Sequence, residues 1–214
     1  MRPVSSDPIH TQIANAWQAP ANAKNVLRAA LVLSADHEFN TSTFATRCAA
    51  STRAPLHAAL LSGLGAFMGP RHGASSDRVS GWLWEVKDPK DVERVLTARL
   101  TRGDGLPGFG HQIYKSGDPR ADCLLDMIMA FGRDSPFLEV IPELRAQGQA
   151  LFGLSPNIDF ALASAQRTFN FPQDAGKVLF CTGRMVGWIA HALEQYETNA
   201  QIRPRATYIG DRPR

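Results

Sequence analysis

The chain has 214 residues, of which 44% are hydrophobic and 20% charged, a composition typical of a globular protein with a sizeable core. A formal net charge of +3 without a dense run of Lys and Arg gives no support for nucleic-acid binding, although it suits a site that collects anions. The apolar runs are too short to span a membrane, and the N-terminus lacks the apolar part of a signal peptide, so neither is expected.

Helical periodicity accounts for most of the predicted secondary structure, and stretches with strand alternation are scarce. The segments with apolar residues at helical spacing are, in chain order, 25–33, 42–50, 56–68, 91–100, 118–129 and 177–194. Asp118 followed by Pro119 predicts an N-cap and the first turn of a helix, and Ser155 followed by Pro156 repeats that signature. The sequence therefore predicts an all-α fold.

Clusters rich in Gly and Pro, at 69–73 and 103–110, interrupt the predicted helices. Turns of this composition let a ligand approach the backbone closely. The basic tail, 202–214, is predicted to be extended and exposed. Residues 1–23, with three prolines, are left as an unassigned segment or linker.

Two arginines are hard to explain by structure alone. Arg120 falls in the first turn of the helix that Asp118 and Pro119 open, where a cation opposes the helix dipole. Arg184 lies in an apolar helical stretch, where a buried charge needs a partner. A solvated Arg120 and an internal salt bridge of Arg184 are the structural alternatives; the functional one is a guanidinium that binds a ligand carboxylate.

Two histidines, His72 and His111, follow turns rich in Gly. If His72 begins a helix, the helix dipole lowers its pKa and favours neutral imidazole, a good donor to a developing enolate. Either residue is equally compatible with a loop histidine that has no function. Asp159, near a predicted helix N-terminus, has an ordinary electrostatic explanation. The residues alone indicate a helical domain suited to an acidic small-molecule ligand.

The cysteines and histidines give no sign of a metal site. Cys48, Cys123 and Cys181 are widely spaced in apolar, helix-like stretches, which predicts buried, reduced thiols and a cytoplasmic location. The histidines lack compact ligand spacing such as His-Glu-x-x-His. No bound metal is expected.

Four segments carry a more specific pattern. They are Ala35-Asp36-His37-Glu38 with Asn40 and Ser42; Gly69-Pro70-Arg71-His72-Gly73; Gly108-Phe109-Gly110-His111 with Tyr114-Lys115 and Asp118-Pro119-Arg120; and Pro156-Asn157-Ile158-Asp159-Phe160, followed by Gly183-Arg184-Met185-Val186-Gly187-Trp188-Ile189-Ala190-His191 and Arg203-Pro204-Arg205. In order and spacing, these segments resemble the citrate synthase family over nearly everything from residue 24 onward.

The resemblance implies an all-α fold in which a large and a small domain close over the site. It assigns 24–71 to the large domain, 72–174 to the small domain, and 175–214 to the large domain with the C-terminal tail. It also implies a homodimer in which the partner chain completes each active site. No cofactor would be bound permanently, since the coenzyme A thioester is a substrate.

The resemblance also implies three catalytic roles. Asp159 would be the general base that removes a proton from the α-carbon of the acyl-CoA. His72 would donate a hydrogen bond to the enolate oxygen as it forms. His111 would polarise the ketone of oxaloacetate and protonate the new alkoxide.

Substrate-binding roles follow from the same resemblance. The oxo-acid carboxylates would be held by His37, Arg120 and Arg184, and by Arg203 reaching into the partner's site. Coenzyme A would be held by the backbone of the loop Leu106, Pro107, Gly108, Phe109 and Gly110, with Lys115 near a phosphate.

Three features depart from the family pattern. Ser34 stands where the family has a histidine three residues before His37, and, since residues three apart share a helix face, Ser34 is expected to point at the site. Ser76 replaces an asparagine that helps to fix the local geometry. Family members also carry a long N-terminal region before the matching part, so activity of this chain alone is a separate question.

The leading hypothesis is condensation of acetyl-CoA or propionyl-CoA with oxaloacetate to give citrate or 2-methylcitrate and CoA. The two acyl groups differ by one methylene, worth about 1–3 kcal/mol in a pocket, and no motif reports pocket volume. One alternative is cleavage of citryl-CoA, which needs the same residues in reverse. The other is a binding or regulatory module without catalysis.

Overall fold

A computed structural model of the protein describes residues 5–73 and 75–211. In those ranges the chain forms α-helices, two short 3-10 helices and no β-strand, which confirms the predicted all-α fold. The α-helices are α1 (Ile9–Ala16), α2 (Lys24–Leu33), α3 (Thr41–Ser51), α4 (Leu56–Phe67), α5 (Ser75–Leu83), α6 (Asp91–Thr101), α7 (Pro119–Phe131), α8 (Val140–Phe152), α9 (Ile158–Thr168) and α10 (Ala175–Thr198). Within the described ranges, none of them combines the length and apolar character needed to cross a bilayer.

The predicted helical segments are all present, with ends that move by a few residues. Asp118 caps α7 as predicted, since its Oδ1 accepts the backbone N–H of Arg120 at 3.0 Å. The apolar pattern does not predict α1, α5 and α8. In α5, serines and a glycine lower helix propensity, and the helix forms because Val79, Trp82 and Leu83 are buried in the core.

The start predicted for α9 is wrong by two residues. Ser155 and Pro156 do not open the helix: α9 begins at Ile158, and Asn157 is its N-cap. Pro156 instead forms an isolated antiparallel bridge with Phe109. The helix start is therefore tied directly to the Gly-rich loop before α7.

The core is centred on α9, which packs against α5, α7 and α10. Its residues Phe160, Ala161, Leu162 and Ala165 have no exposed surface. A helix that is apolar on nearly all sides is stable only when other helices surround it. This arrangement puts the first turn of α9, which carries Asp159, inside the molecule.

The main hydrophobic core contains residues from α1 to α10, and a smaller separate cluster joins Ala50, Ala59 and Ala192. Ala14 of α1 is buried in the main core, and Ile13 and Trp17 pack against it. Residues 9–17 are therefore packed on the fold, whereas residues 1–4 lie outside the described ranges. The domain boundaries at 24, 72 and 175 stay a prediction.

The three thiols are free, and their burial differs from the prediction. Cys48 and Cys181 are half-buried, but Cys123 is exposed. The prediction is wrong for Cys123 because it lies on the solvent side of α7, beside the exposed Asp122.

Two glycines of α10 allow the segment after α2 to lie directly on that helix. A Cβ atom on Gly187 would meet the backbone oxygen of Ala35 at 2.1 Å, and one on Gly183 would meet that of Leu31 at 2.5 Å. No side chain fits between the two backbones. His37 follows Ala35 closely, so this contact also sets the position of a candidate site residue.

Gly187→Ala is expected to destabilise the fold by about 1–3 kcal/mol, since the added methyl group must push the backbone at Ala35 away. Urea unfolding measures the change. The control is Gly65→Ala in α4, where an added Cβ meets nothing within 4 Å and the better helix former is expected to be neutral or stabilising. Equal stability of the two variants would contradict the close approach.

Candidate active site

A cavity of about 700 Å³ opens where the first turns of α5 and α9 meet α10 and the loops before α3 and α7. Its lining includes these residues singled out by the sequence: His37, His72, Gly110, His111, Lys115, Arg120, Asp159 and Arg184. Arg203 is exposed in the tail and does not line the cavity. The fold therefore brings most of the predicted residues together within one chain, while their roles stay a prediction.

Asp159 is the half-buried carboxyl group of this cavity, whose lining also includes the exposed Glu38. Ser76 Oγ donates a hydrogen bond to Asp159 Oδ1 at 2.5 Å. Burial raises the pKa of Asp159 above its usual range, while hydrogen bonds from Ser76 and Ser75 and the charge of Arg120 oppose that rise. A carboxylate destabilised by burial accepts a proton more readily, as a general base must.

Ser76→Ala is expected to move the acidic limb of a pH–activity profile to higher pH. The lost hydrogen bond favours the ionised carboxylate, so its removal raises the pKa of Asp159 further and protonates the base over a wider pH range. The profile of kcat against pH measures the shift. Ser80→Ala on the same helix is the control, because Ser80 bonds Gln166 and not Asp159. An unshifted limb would contradict the contact.

His72 lies in the turn before α5, which begins at Ser75. The dipole of α5 is therefore not the main cause of the low pKa of His72. Burial lowers the pKa of His72 most, and the charge of Arg184 lowers it further. At pH 7 the ring is neutral and can donate one hydrogen bond.

His111 has its protonated nitrogen fixed by the backbone. Its Nδ1 accepts the N–H groups of Ile113 at 3.1 Å and Tyr114 at 3.3 Å, so the ring proton of neutral imidazole sits on Nε2. Burial lowers the pKa of His111, and Arg120 lowers it further. His111 Nε2 is thus a neutral donor, and Arg120 Nη2, which lies 3.5 Å away and can only donate, makes no hydrogen bond to it.

His37 stands beside His111, with the two ring centres 5.2 Å apart and the planes at right angles. Its Nε2 lies 3.1 Å from the hydroxyl of Tyr114. Burial and then the charge of Arg120 lower the pKa of His37. The three cavity histidines are all neutral at pH 7, so the positive charge of the cavity wall comes from its arginines and Lys115.

Arg120 has a structural partner as well as a place in the cavity wall. Its Nε and Nη2 donate to the two oxygens of Asp118 at 2.9 and 2.8 Å. The same carboxylate accepts the backbone N–H of Ile158 at 3.0 Å, which ties the start of α7 to the start of α9. Arg120 is therefore not the solvated side chain of the structural alternative; its guanidinium is held in a fixed direction.

Arg184 has no carboxylate partner among residues 5–73 and 75–211, so the internal salt bridge is wrong. Its Nε donates to the backbone oxygen of Ser34 at 2.9 Å, and its buried Nη2 has no hydrogen-bond partner. Burial, with Arg120 nearby, lowers the pKa of Arg184 to about 10. The side chain is 1% exposed yet lines the cavity. A buried guanidinium with an unused donor is ready for an anion.

The Gly-rich loop before α7 lines a second cavity of about 600 Å³, which shares Ser75 and Asn157 with the first. The loop residues in its wall are Leu106, Pro107, Gly108 and Phe109. Gly108 and Gly110 have φ values of +88° and +75°, which favour glycine. The carbonyl oxygens of Pro107 and Gly108 accept from Trp82 Nε1 and the Asn157 N–H. The loop is therefore rigid, and Lys115 lies in the first cavity beside it.

A comparison with protein families identifies this architecture. The family model described as "Citrate synthase, C-terminal domain" matches residues 1–205. The chain belongs to the citrate synthase family. This confirms the resemblance drawn from the four sequence segments.

Two relatives in the citrate synthase family carry different enzyme names. The chain is 36% identical over 184 residues to citrate synthase 2 of Bacillus subtilis, covering 85% of this chain and 50% of the relative. It is 34% identical over 183 residues to 2-methylcitrate synthase 1 of Corynebacterium glutamicum, covering 84% and 48%. The chain spans about half the length of these curated relatives.

Solved structures share the fold of this chain. The ternary complex of Thermoplasma acidophilum citrate synthase with carboxymethyl coenzyme A and oxaloacetate superposes with a TM-score of 0.84 at 30% identity, covering 99% of this chain and 59% of that one. Citryl-CoA lyase from Hydrogenobacter thermophilus gives 0.85 at 24% identity, covering 98% and 86%. At 24% identity, the similarity to citryl-CoA lyase shows a shared fold alone.

Ser34, which departs from the citrate synthase pattern, does not point at the site as expected. Ser34 has no exposed surface, and it is not part of the cavity lining. α2 ends at Leu33, so Ser34 and His37 do not share a helix face. Ser34 contributes its backbone oxygen to Arg184 instead of a side chain to the site.

Several side chains that shape the site in this citrate synthase-family chain were missed by sequence reasoning. They are Ser42, Tyr114, Asp118, Asn157 and His191. All lie inside or beside the four family segments, which was the available signal. Each of them also contacts a residue at least 30 positions away in sequence, which spacing alone could not assign.

Proposed function

We propose that the protein condenses an acyl-CoA with oxaloacetate and releases CoA, as a citrate synthase-type acyltransferase. The observation that carries this is the cavity that joins a half-buried carboxylate whose pKa is raised, two neutral histidine donors and a guanidinium without a carboxylate partner in the described residues. Proton removal beside a thioester needs the first two groups, and a dianionic oxo acid needs the last.

In the first step, Asp159 takes a proton from the α-carbon of the acyl-CoA, and the electrons move to the thioester oxygen. His72 donates a hydrogen bond to that oxygen. Ser42 donates its one hydrogen to Asn40 Oδ1 at 2.8 Å and so accepts from His72 Nε2, 2.7 Å away, which puts the ring proton on Nε2. Donation from Nδ1 to the substrate therefore requires the Ser42 hydrogen to turn from Asn40 to Nε2, which moves the ring proton to Nδ1.

In the second step, the enol carbon attacks the ketone carbon of oxaloacetate. His111 Nε2–H donates to the ketone oxygen and gives up its proton as the alkoxide forms. Because Nδ1 is held by backbone N–H groups, the donor is aimed before the substrate arrives. Water then cleaves the thioester of the condensed product, which releases CoA and the tricarboxylic acid.

The two ends of oxaloacetate are assigned to Arg184 and to Arg120 with His37. Arg120 is already neutralised in part by Asp118, whereas Arg184 is not. The stronger anion attraction is therefore at Arg184. Coenzyme A would lie along the second cavity, on the loop 106–110, with Lys115 near a phosphate.

The direct test follows free CoA thiol released from acetyl-CoA and from propionyl-CoA, each with and without oxaloacetate. Release that depends on oxaloacetate supports the proposal, and the faster acyl-CoA identifies the product as citrate or 2-methylcitrate. Folded protein that releases no CoA from either, while titration calorimetry still detects oxaloacetate, would support the binding module instead. Formation of oxaloacetate from citryl-CoA without any condensation would support the lyase direction.

A homodimer with shared sites is part of the proposal, as is a cytoplasmic location, which the free thiols favour. Exposed apolar side chains support the dimer: Phe44 of α3, Leu61 of α4, and Val186 and Leu193 of α10.

Arg203, which lies outside the cavity of its own chain, would enter the cavity of the partner chain. Mixing inactive Asp159→Asn with Arg203→Ala chains should then restore about one quarter of normal activity, because each mixed dimer has one intact site. No recovery would argue against shared sites.

A further inference from the structure

Three side chains on one face of α10, at positions i, i+4 and i+7, reach across to the segment between α2 and α3 and to the first turn of α3. The hydrogen bonds are Arg184 to the Ser34 carbonyl at 2.9 Å, Trp188 to the Ser42 hydroxyl at 3.2 Å, and His191 to the Asp36 carboxylate at 3.1 Å. The first two involve residues of the cavity or their direct supports. His191 lies outside the cavity, and the proposed mechanism gives it no role.

The protonation of His191 follows from its neighbours. Arg47 Nη1 lies 3.2 Å from His191 Nδ1, and arginine can only donate, so Nδ1 is the acceptor. The proton is then on Nε2, which donates to Asp36 Oδ1. Arg47 is itself held by Gln195 Oε1 at 3.0 Å and by the carboxylate of Glu194. A chain of fixed hydrogen bonds thus runs from α10 and α3 to Asp36.

The segment that receives this contact has no regular secondary structure, and within it Asn40 Nδ2 donates to the backbone oxygen of His37 at 3.2 Å. Residues 35–40 form no helix, and Glu38 has a φ of +53°, an uncommon conformation for a residue other than glycine. His37 projects from this segment into the cavity. Asp36 is the neighbouring residue, so a hydrogen bond on its carboxylate restrains the backbone that carries His37.

We infer that His191 is a positioning residue, which holds the segment 35–40 through Asp36 and so places His37 for the oxo acid. The inference rests on the proposed function for the ligand of His37, but not for the contact itself. A positioning role predicts an effect on oxaloacetate that the acyl-CoA does not share, since His191 and Asp36 are remote from the coenzyme A loop.

A pair of substitutions separates the two hydrogen bonds of His191. Glutamine places its amide nitrogen near the position of Nε2 and keeps the donor to Asp36, whereas asparagine reaches only the position of Nδ1 and loses it. His191→Asn is expected to raise the KM for oxaloacetate by about 3- to 10-fold, the loss of a partly exposed charge-assisted hydrogen bond, with the KM for acyl-CoA within about twofold. His191→Gln should stay near the wild type. His57→Asn, at an exposed histidine outside the cavity, is the matched control.

Hydrogen exchange gives a readout that does not need turnover. Faster amide exchange confined to residues 35–40 in His191→Asn, but not in His191→Gln or His57→Asn, supports the inference even if the wild type releases no CoA and the proposed function fails. Asp36→Ala breaks the same bond at an exposed side chain, so the variant is expected to fold. It should reproduce the change and add little to His191→Asn. Exchange that matches the wild type, or equal rises in both KM values, would overturn the inference.

Discussion

Asp159→Asn is expected to lower kcat for CoA release by about 10²- to 10⁴-fold, the usual contribution of a positioned general base. The amide has nearly the shape of the carboxyl group and can still accept the Ser76 hydrogen bond, but it cannot take a proton. KM values should change little, because the cavity keeps its volume. Steady-state kinetics with saturating oxaloacetate measure the effect.

The same substitution is expected to leave the fold at least as stable at neutral pH. Burial raises the pKa of Asp159, so the folded state binds its proton more tightly than the unfolded state does. Stability therefore falls as pH rises between the unfolded and the folded pKa, and the ionised form is the costly one at pH 7. Asparagine removes that cost, and thermal unfolding should show no loss.

The matched control is Asp122→Asn, an exposed aspartate on α7 outside the cavity. It should keep normal turnover. A loss of activity in Asp159→Asn together with a lower unfolding temperature would point to a structural role for the carboxylate. Normal turnover in the variant would exclude Asp159 as the base.

Much of the fold could be predicted because its signals are local. The apolar spacing of α2, α3, α4, α6 and α10 and the Asp118 N-cap of α7 each involve neighbours in sequence. α5 and α8 were not predicted from the sequence, because burial of their apolar residues in the core, and not helix propensity, stabilises them. The start of α9 was predicted wrongly because Pro156 forms a β-bridge with Phe109 and does not lie in the first helical turn.

The candidate site was predictable by residue type but not by contact. The sequence left a structural and a ligand-binding alternative for both unusual arginines, and the fold separates them. Arg120 is paired with the Asp118 carboxylate, whereas in the described residues Arg184 donates to the Ser34 carbonyl and has no carboxylate partner. The pairing of His191 with Asp36 joins residues 155 positions apart. No spacing rule in one sequence reports such a contact, since it depends on how α10 crosses the end of α2.

Arg184→Met is expected to weaken oxaloacetate binding by about 2–5 kcal/mol, or roughly 30- to 5,000-fold in Kd, because a ligand carboxylate would lose its buried partner. Methionine fills a similar volume without charge. The oxaloacetate affinity of Arg184→Lys should lie between those of the wild type and Arg184→Met. Lysine keeps a charge but loses both the forked geometry and the bond to the Ser34 carbonyl. Titration calorimetry measures the affinities.

The fold of Arg184→Met without ligand is expected to be as stable as the wild type or more so. A guanidinium whose pKa burial lowers to about 10 costs stability at every pH below that value, because the charged form is the disfavoured one in the folded state. The exposed Arg94, paired with Asp91, provides the control Arg94→Met, which should keep oxaloacetate binding. Oxaloacetate should raise the unfolding temperature of the wild type and of Arg94→Met but not of Arg184→Met. If Arg184→Met is less stable without ligand and binds oxaloacetate normally, Arg184 is a structural residue whose charge is stabilised by other groups of the protein.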